Sequence, residues 1–266
     1  MARHSARTRV VTLDYQALLE AARRAARHAG SAVLEIAAGH VETRHKTDQS
    51  PVTIADDTAE RIILAALRQA APDIPIVSEE DAAATGLPAG PAARYWLVDP
   101  VDGTRGFIER RDEYTVNIGL VENGRAVLGV IGVPTRGLIY AACGAGTATR
   151  QQGDARPESI SARLPPPQPI VLSSRFYGAS RRLTAYLDAI PGAENRQMGS
   201  AVKFCILAEG GADYYPRFGE TCEWDTAAGQ AILEAAGGSV RTLDGAPLAY
   251  GKSKFLNPAF VARGRT

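Results

Sequence analysis

Two aspartates, Asp99 and Asp102, close an apolar run in the stretch Trp96-Leu-Val-Asp99-Pro100-Val101-Asp102-Gly103-Thr104. Proline fixes φ and bends the chain, so both carboxylates can point into one space beyond the run. Gly103 permits unusual backbone geometry, and its N–H together with that of Thr104 could line a concave anion site. Upstream, Ile76-Val77-Ser78-Glu79-Glu80-Asp81 ends a second apolar stretch in acids. Downstream, Trp224-Asp225-Thr226 puts a carboxylate at the start of a helix. Clustered carboxylates repel one another, and their desolvation is costly unless a partner compensates. Oxygen donors with no His or Cys nearby point to Mg²⁺ rather than zinc. Magnesium suits phosphate chemistry: it polarises a phosphoryl group, lowers the pKa of a water and stabilises a departing oxygen. Taken one at a time, each feature has a plainer reading. Asp-Pro and Asp-Gly form turns, Asp225 caps a helix, and Glu79-Glu80-Asp81 is a solvated acidic loop.

The elements that must position these acids are legible in outline. Asp14 to Ala38 reads as an amphipathic helix, with Leu18, Ala22, Ala25, Ala29, Val33 and Ile36 at helical spacing and Gly39 as a stop. A second helix is expected over Asp57–Ala70. Tyr95–Val98, Thr115–Val121, Ala126–Val133 and Leu138–Ala142 read as strands, with Glu122-Asn123-Gly124 as a hairpin turn. The Pro- and Gly-rich stretch Gln151–Gln168 marks a boundary between an N-terminal α+β domain, 1–160, and a C-terminal α/β domain, 161–266. In the second half, Ile170–Leu172, Asp213–Tyr215 and Ser239–Leu243 read as strands, and Ser180–Ala189, Ser200–Glu209 and Thr226–Ala236 as helices.

Composition sets the class. In 266 residues, 45% are hydrophobic, and 30 Lys+Arg against 29 Asp+Glu leave a net charge of +1. That balance argues against a nucleic-acid coat or a polybasic membrane binder. Cys143, Cys205 and Cys222 are an odd, scattered trio, which suits a reducing compartment better than a disulfide framework. The basic start Met1–Val10 reads as a frayed arm rather than a secretion signal, and no apolar run approaches the ~18 residues of a spanning helix. A cytoplasmic location is expected. His4, His28, His40 and His45 show no ligand spacing, and Trp96 and Phe204 read as core.

Several motifs in order carry a resemblance. Glu79-Glu80, Asp99-Pro-Val-Asp102-Gly-Thr104 and Trp224-Asp225-Thr-Ala-Ala-Gly229 resemble the signature set of the lithium-sensitive, Mg²⁺-dependent phosphomonoesterase superfamily of inositol monophosphatase and fructose-1,6-bisphosphatase. Within it, the chain looks most like the CysQ-type 3′(2′),5′-bisphosphate nucleotidases. That likeness rests on Lys46-Thr-Asp-Gln-Ser50-Pro-Val-Thr53-Ile-Ala-Asp56, Phe107-Ile-Glu-Arg110, Tyr114-Thr-Val-Asn117, Gly199-Ser200-Ala-Val-Lys203-Phe204-Cys205, Tyr215-Pro-Arg217-Phe-Gly219 and Phe255-Leu-Asn257-Pro258.

The resemblance implies a layered αβαβα sandwich, an α+β fold with the site between its halves. It implies Glu79, Asp99, Asp102 and Asp225 as metal ligands, joined by the Val101 carbonyl, with two or three Mg²⁺ ions per site. Asp56, Thr104 and Glu79 would activate the water, and the Gly103 and Thr104 amides would hold the phosphate. Ser200, Lys203 and Arg217 would contact a small phosphorylated nucleotide. The implied reaction removes the 3′-phosphate of 3′-phosphoadenosine 5′-phosphate, or of its 5′-phosphosulfate, without a covalent intermediate. Superfamily members often pair as dimers, which leaves a homodimer open. One departure is plain: Ser173-Ser174-Arg175-Phe176-Tyr177 stands where such nucleotidases carry Ser-Arg-Ser-His, and Arg105-Gly106 replaces Lys-Glu. Phe176 or Tyr177 could stack on a base or simply pack. The other readings are an inositol-monophosphate or fructose-bisphosphate phosphatase, and a sensor that binds a phosphorylated metabolite without hydrolysing it.

Overall fold

Asp14 opens the first helix by accepting the N–H groups of Gln16 and Ala17, both at 3.0 Å. The computed structural model describes residues 13–39, 43–46, 51–88, 90, 92–176 and 180–265. The basic start and Tyr177 lie outside them. Helix α1, Tyr15–Ala37, buries Leu18, Ala22, Ala25, Ala29 and Val33 along one stripe, as the spacing predicts. A short hairpin, β1 (Thr43–His45) and β2 (Pro51–Thr53), leads into α2, Ile54–Ala70. That helix starts three residues before the expected Asp57. Thr53 is its N-cap, and Asp56 completes a capping box from inside the first turn.

The next elements build a seven-stranded sheet. They are β3 (Ile76–Ser78), α3 (Glu79–Thr85), β4 (Arg94–Asp102), α4 (Thr104–Ile108), β5 (Thr115–Glu122), β6 (Arg125–Val133), β7 (Leu138–Cys143), β8 (Thr149–Gln152) and β9 (Glu158–Ser159). Strand order follows chain order; β3 is parallel to β4 and every later pair is antiparallel. Asn123 and Gly124 both take positive φ, +50° and +76°, as a two-residue hairpin with the right twist requires. At the head of the Pro- and Gly-rich stretch, Gln151 and Gln152 finish β8, and Glu158–Ser159 pairs with that strand.

Strand β4 differs as well. Instead of ending at the first carboxylate it runs through Pro100 to Asp102, with a register shift: Asp99 faces Asn117 while Asp102 faces Thr115. Two residues of β4 thus oppose one of β5, a bulge at the proline that cannot donate to the ladder. In a regular strand, residues three apart point to opposite faces. The extra residue brings Asp99 and Asp102 to the same cavity.

The second sheet is β10 (Ile170–Ser174), β11 (Glu194–Met198), β12 (Tyr214–Arg217), β13 (Ser239–Thr242) and β14 (Phe260–Arg263), ordered β11-β10-β12-β14-β13. β11 and β12 flank β10 in parallel, reached through α5 (Arg181–Asp188) and α6 (Val202–Ala208). The two crossovers move in opposite directions along the sheet, so right-handed connections place α5 and α6 on opposite faces. Helix α7, Ala227–Ala235, joins α6 between the sheets. There Phe204, Leu207, Ile232 and Leu233 share one core with Ile131 and Val133 of the first sheet and Leu172, Tyr215 and Phe260 of the second. The layers run α1–α2, sheet, α6–α7, sheet, α5, the expected αβαβα sandwich.

Helix α7 sits on bare backbone. A Cβ added to Gly119 would lie 2.8 Å from the Ala227 Cβ, and one added to Gly129 only 2.2 Å from the Ala228 carbonyl oxygen. Among the described residues no helix is long and apolar enough to cross a membrane.

Candidate active site

Three of the expected acids stand at the ends of elements, where the backbone can turn into open space. Glu79 is the first residue of α3, and Asp99 lies in the bulged end of β4. Asp225 closes a 3₁₀ turn, Glu223–Asp225, in front of α7. Each of these three offers a carboxylate oxygen within 4.8 Å of the other two. Together with Val101, Asp102, Gly103, Thr104, Ser200, Lys203 and Arg217 they line one cavity of about 530 Å³ between the two sheets.

Asp102 stands one step back from the triad. Its Oδ2 accepts the Ala201 N–H and lies 3.3 Å from the Asn117 amide nitrogen. Asp56 is buried behind the wall. Its Oδ2 accepts the N–H and hydroxyl of Thr53, at 2.8 and 2.7 Å, which leaves Oδ1 for the Thr104 hydroxyl at 3.1 Å. The same hydroxyl lies 3.0 Å from the Val101 carbonyl, so the Thr104 proton sits between two acceptors. Gly103 has φ +95° and starts the turn of α4, where helical amides have no partner within the helix.

The charges at the acidic end are poorly compensated. Burial drives the Asp99 carboxyl well above its ordinary range, and Glu79, Asp102 and Asp225 push it further. Asp225 is raised by burial and then by Asp102 and Glu79. Burial also raises Glu79 and Asp102, opposed by Lys46 in the first case and Lys203 in the second. Burial raises Asp56 against the pull of its three hydrogen bonds. A set of carboxyl groups held close at this expense needs cations, and an all-oxygen donor set fits a hard divalent ion.

The opposite wall is basic. Lys203 is 2% exposed; its ammonium donates to the Ser200 and Met198 carbonyls, at 2.5 and 3.3 Å, and lies 5.0 Å from the Tyr215 ring centre. Burial brings its pKa down to about 7, with Arg217 helping and Asp102 opposing. Arg217, at the end of β12, donates to the Gly219 and Glu220 carbonyls at 3.2 and 2.8 Å. Ser200 does not share a helix face with Lys203. It precedes α6 in a left-handed conformation, φ +50°, because the helix starts two residues later than expected.

Two side chains here, Lys46 and Glu113, carry no role in the sequence reading. Lys46 bridges Glu79 and Glu80 at 2.6 and 2.7 Å, and although burial opposes its charge these two acids raise its pKa. Its scarcity as one of four lysines was a usable signal. Glu113 holds Arg175, which follows β10. Phe176 faces the cavity with the Arg105 guanidinium 5.3 Å from its ring centre, so the two sequence departures meet in space.

The profile of the Inositol monophosphatase family matches residues 14–264. The chain is 44% identical to the 3′(2′),5′-bisphosphate nucleotidase CysQ of Salmonella typhimurium, over 91% of this chain and 98% of that one. It is 42% identical to CysQ of Escherichia coli K12, over 88% and 95%. Among solved structures, CysQ from Bacteroides thetaiotaomicron superposes with a TM-score of 0.81 at 35% identity, covering 96% of this chain and 100% of that one. An inositol monophosphatase from Zymomonas mobilis gives 0.74 at 27% identity, covering 96% and 95%.

Proposed function

The chain belongs to the inositol monophosphatase family, and from that premise we propose that it is a Mg²⁺-dependent 3′(2′),5′-bisphosphate nucleotidase. Its substrate is 3′-phosphoadenosine 5′-phosphate, and its products are AMP and phosphate. The observation that carries the chemistry is the convergence of Glu79, Asp99 and Asp225 within 4.8 Å, from three elements remote in sequence. Mg²⁺ held by these three, with Asp102 and the Val101 carbonyl completing the oxygen set, would supply Lewis-acid activation of a water and of the phosphate and would stabilise the departing ribose oxygen.

The chain's own residues do the rest. The Thr104 hydroxyl, leaning on Asp56 Oδ1, takes a proton from the attacking water as it yields its own. A buried carboxyl with a raised pKa suits that acceptor role, and Glu79 aids from the cavity side. The Gly103 and Thr104 amides hold the phosphate oxygens while the water adds in line and the bond to the ribose 3′-oxygen breaks. Lys203 and Arg217 supply positive charge for the 5′-phosphate, and Ser200 a hydroxyl for the nucleotide.

The test is phosphate release with Mg²⁺ from adenosine 3′,5′-bisphosphate, inositol 1-phosphate and fructose 1,6-bisphosphate, repeated with EDTA and with Li⁺. A kcat/KM for the nucleotide at least about tenfold above the others, ~1.4 kcal/mol in transition-state binding, is expected. A smaller ratio overturns the nucleotide assignment, and full turnover in EDTA overturns the metal. Binding without phosphate release in a single turnover at stoichiometric enzyme would instead make the chain a sensor.

A further inference from the structure

The segment that carries Ser200 is held on both sides by carboxylates of the other half of the chain. The Gly199 N–H donates to Glu113 Oε2 at 2.9 Å, and the Ala201 N–H donates to Asp102 Oδ2. Between these two anchors Ser200 takes φ +50°, a region that a serine keeps only when its surroundings hold it there. Glu113 is itself gripped. Arg175 Nε donates to its Oε2 at 2.9 Å and Nη2 to its Oε1 at 2.5 Å, while the same Nη2 donates to the Gln197 carbonyl at 2.8 Å.

Close packing tightens this junction. A Cβ on Gly103 would lie 3.0 Å from the Glu113 carbonyl oxygen and 3.4 Å from the Ser200 Cβ. A Cβ on Gly199 would lie 3.0 Å from that oxygen and 3.2 Å from the Glu113 Cβ. Glu113 is therefore wedged between the turn that presents the Gly103 and Thr104 amides and the turn that presents Ser200. It comes from the loop before β5, whereas Arg175 follows β10, so the fork joins the two sheets' chains at the cavity. The Glu113 side chain is 16% exposed and that of Arg175 30%, and a two-bonded guanidinium–carboxylate pair is geometrically specific as well as strong.

We propose that Glu113 and Arg175 form a positioning clamp that fixes the distance between the phosphate-holding turn at Gly103 and the nucleotide-contacting Ser200. Arg175 acts through Glu113 and takes no substrate phosphate itself. The proposal rests on the roles given above to Gly103 and Ser200. The arginine's partner here is a protein carboxylate, not the ligand.

The test is a double-mutant cycle with Glu113→Gln, Arg175→Met and the pair, read in steady-state kinetics on adenosine 3′,5′-bisphosphate. Each single variant is expected to raise KM about tenfold with less than about threefold change in kcat, and the double to resemble a single, because the two act as one unit. The Mg²⁺ concentration for half-maximal rate should not move, since the clamp touches none of the triad. A KM unchanged in the single variants, or KM effects that multiply in the double, overturns the clamp. So does an Arg175→Met effect on kcat and Mg²⁺ dependence alone. Arg175→Lys keeps the charge without the fork and serves if the methionine variant is insoluble; a wild-type KM in it overturns the geometric claim. Failure of the functional reading looks different. Wild type would then release no phosphate from the nucleotide, and AMP binding by calorimetry would carry the same cycle.

Discussion

Glu223 and Asp225 lie two residues apart on one 3₁₀ turn, and they have opposite surroundings. Glu223 is 0% exposed and fully partnered. It accepts the Gly251 and Lys252 N–H groups at 2.8 and 2.9 Å, forms an ion pair with the Lys252 ammonium at 2.7 Å, and has the Tyr95 hydroxyl at 3.4 Å. Asp225 accepts one backbone N–H, from Cys222 at 2.8 Å, and otherwise faces the carboxylates of Glu79 and Asp99. Depth does not make the site: the fully buried Glu223 is scaffold, and the half-buried Asp225 is a ligand candidate. What separates them is whether the protein supplies the countercharge or leaves it to a ligand.

The strongest way to break this comparison is to neutralise each acid in turn. Asp225→Asn and Asp99→Asn are expected to reduce phosphate release to background. Both should also raise the melting temperature of the metal-free protein, by about 2–4 °C per kcal/mol of relieved repulsion. An active Asp225→Asn, or one less stable than wild type without metal, contradicts the role given to the triad. Thr104→Val should lower kcat about 10²-fold or more while Thr104→Ser keeps most of it, as a proton relay through the hydroxyl demands. Equal losses in both variants would mean that only the shape matters.

Glu223→Gln is the converse case. It removes the charge from a satisfied network and should destabilise the fold by about 1–3 kcal/mol in thermal denaturation, with Mg²⁺ dependence preserved. The smallest effect is a pH trend. The folded-state carboxyl pKa values of Asp99 and Asp225 are raised, so their contribution to metal-free stability is complete below the ordinary value of about 4 and is lost as pH rises through the raised values. The melting-temperature gain on adding Mg²⁺ should therefore grow as pH rises above the ordinary carboxyl value. A flat gain would leave the repulsion argument without support.

Much of this was legible beforehand, for physical reasons tied to particular residues. The stripe from Leu18 to Val33 and the turn at Asn123-Gly124 follow from period and φ, which are local properties. The acids of the triad were legible as types at element ends. The bulge that turns Asp99 and Asp102 to one side was not, because it depends on pairing with β5. Helix starts were misplaced where the cap lay elsewhere. Thr53 begins α2 before Asp57, and the two anchored amides delay α6 past Ser200. Pairs such as Glu113 with Arg175, or Arg105 with Phe176, join residues remote in sequence, and no spacing rule announces them.

The seat of α7 has one more implication. The depth to which Asp225 reaches toward Asp99 is gauged by two hydrogen atoms on the sheet face beneath α7, at Gly119 and Gly129. A methyl group at Gly129 would act as a shim, lifting the helix off its bed and drawing one ligand away from the others. A survey confined to the cavity wall would therefore overlook a position with this much leverage over the site.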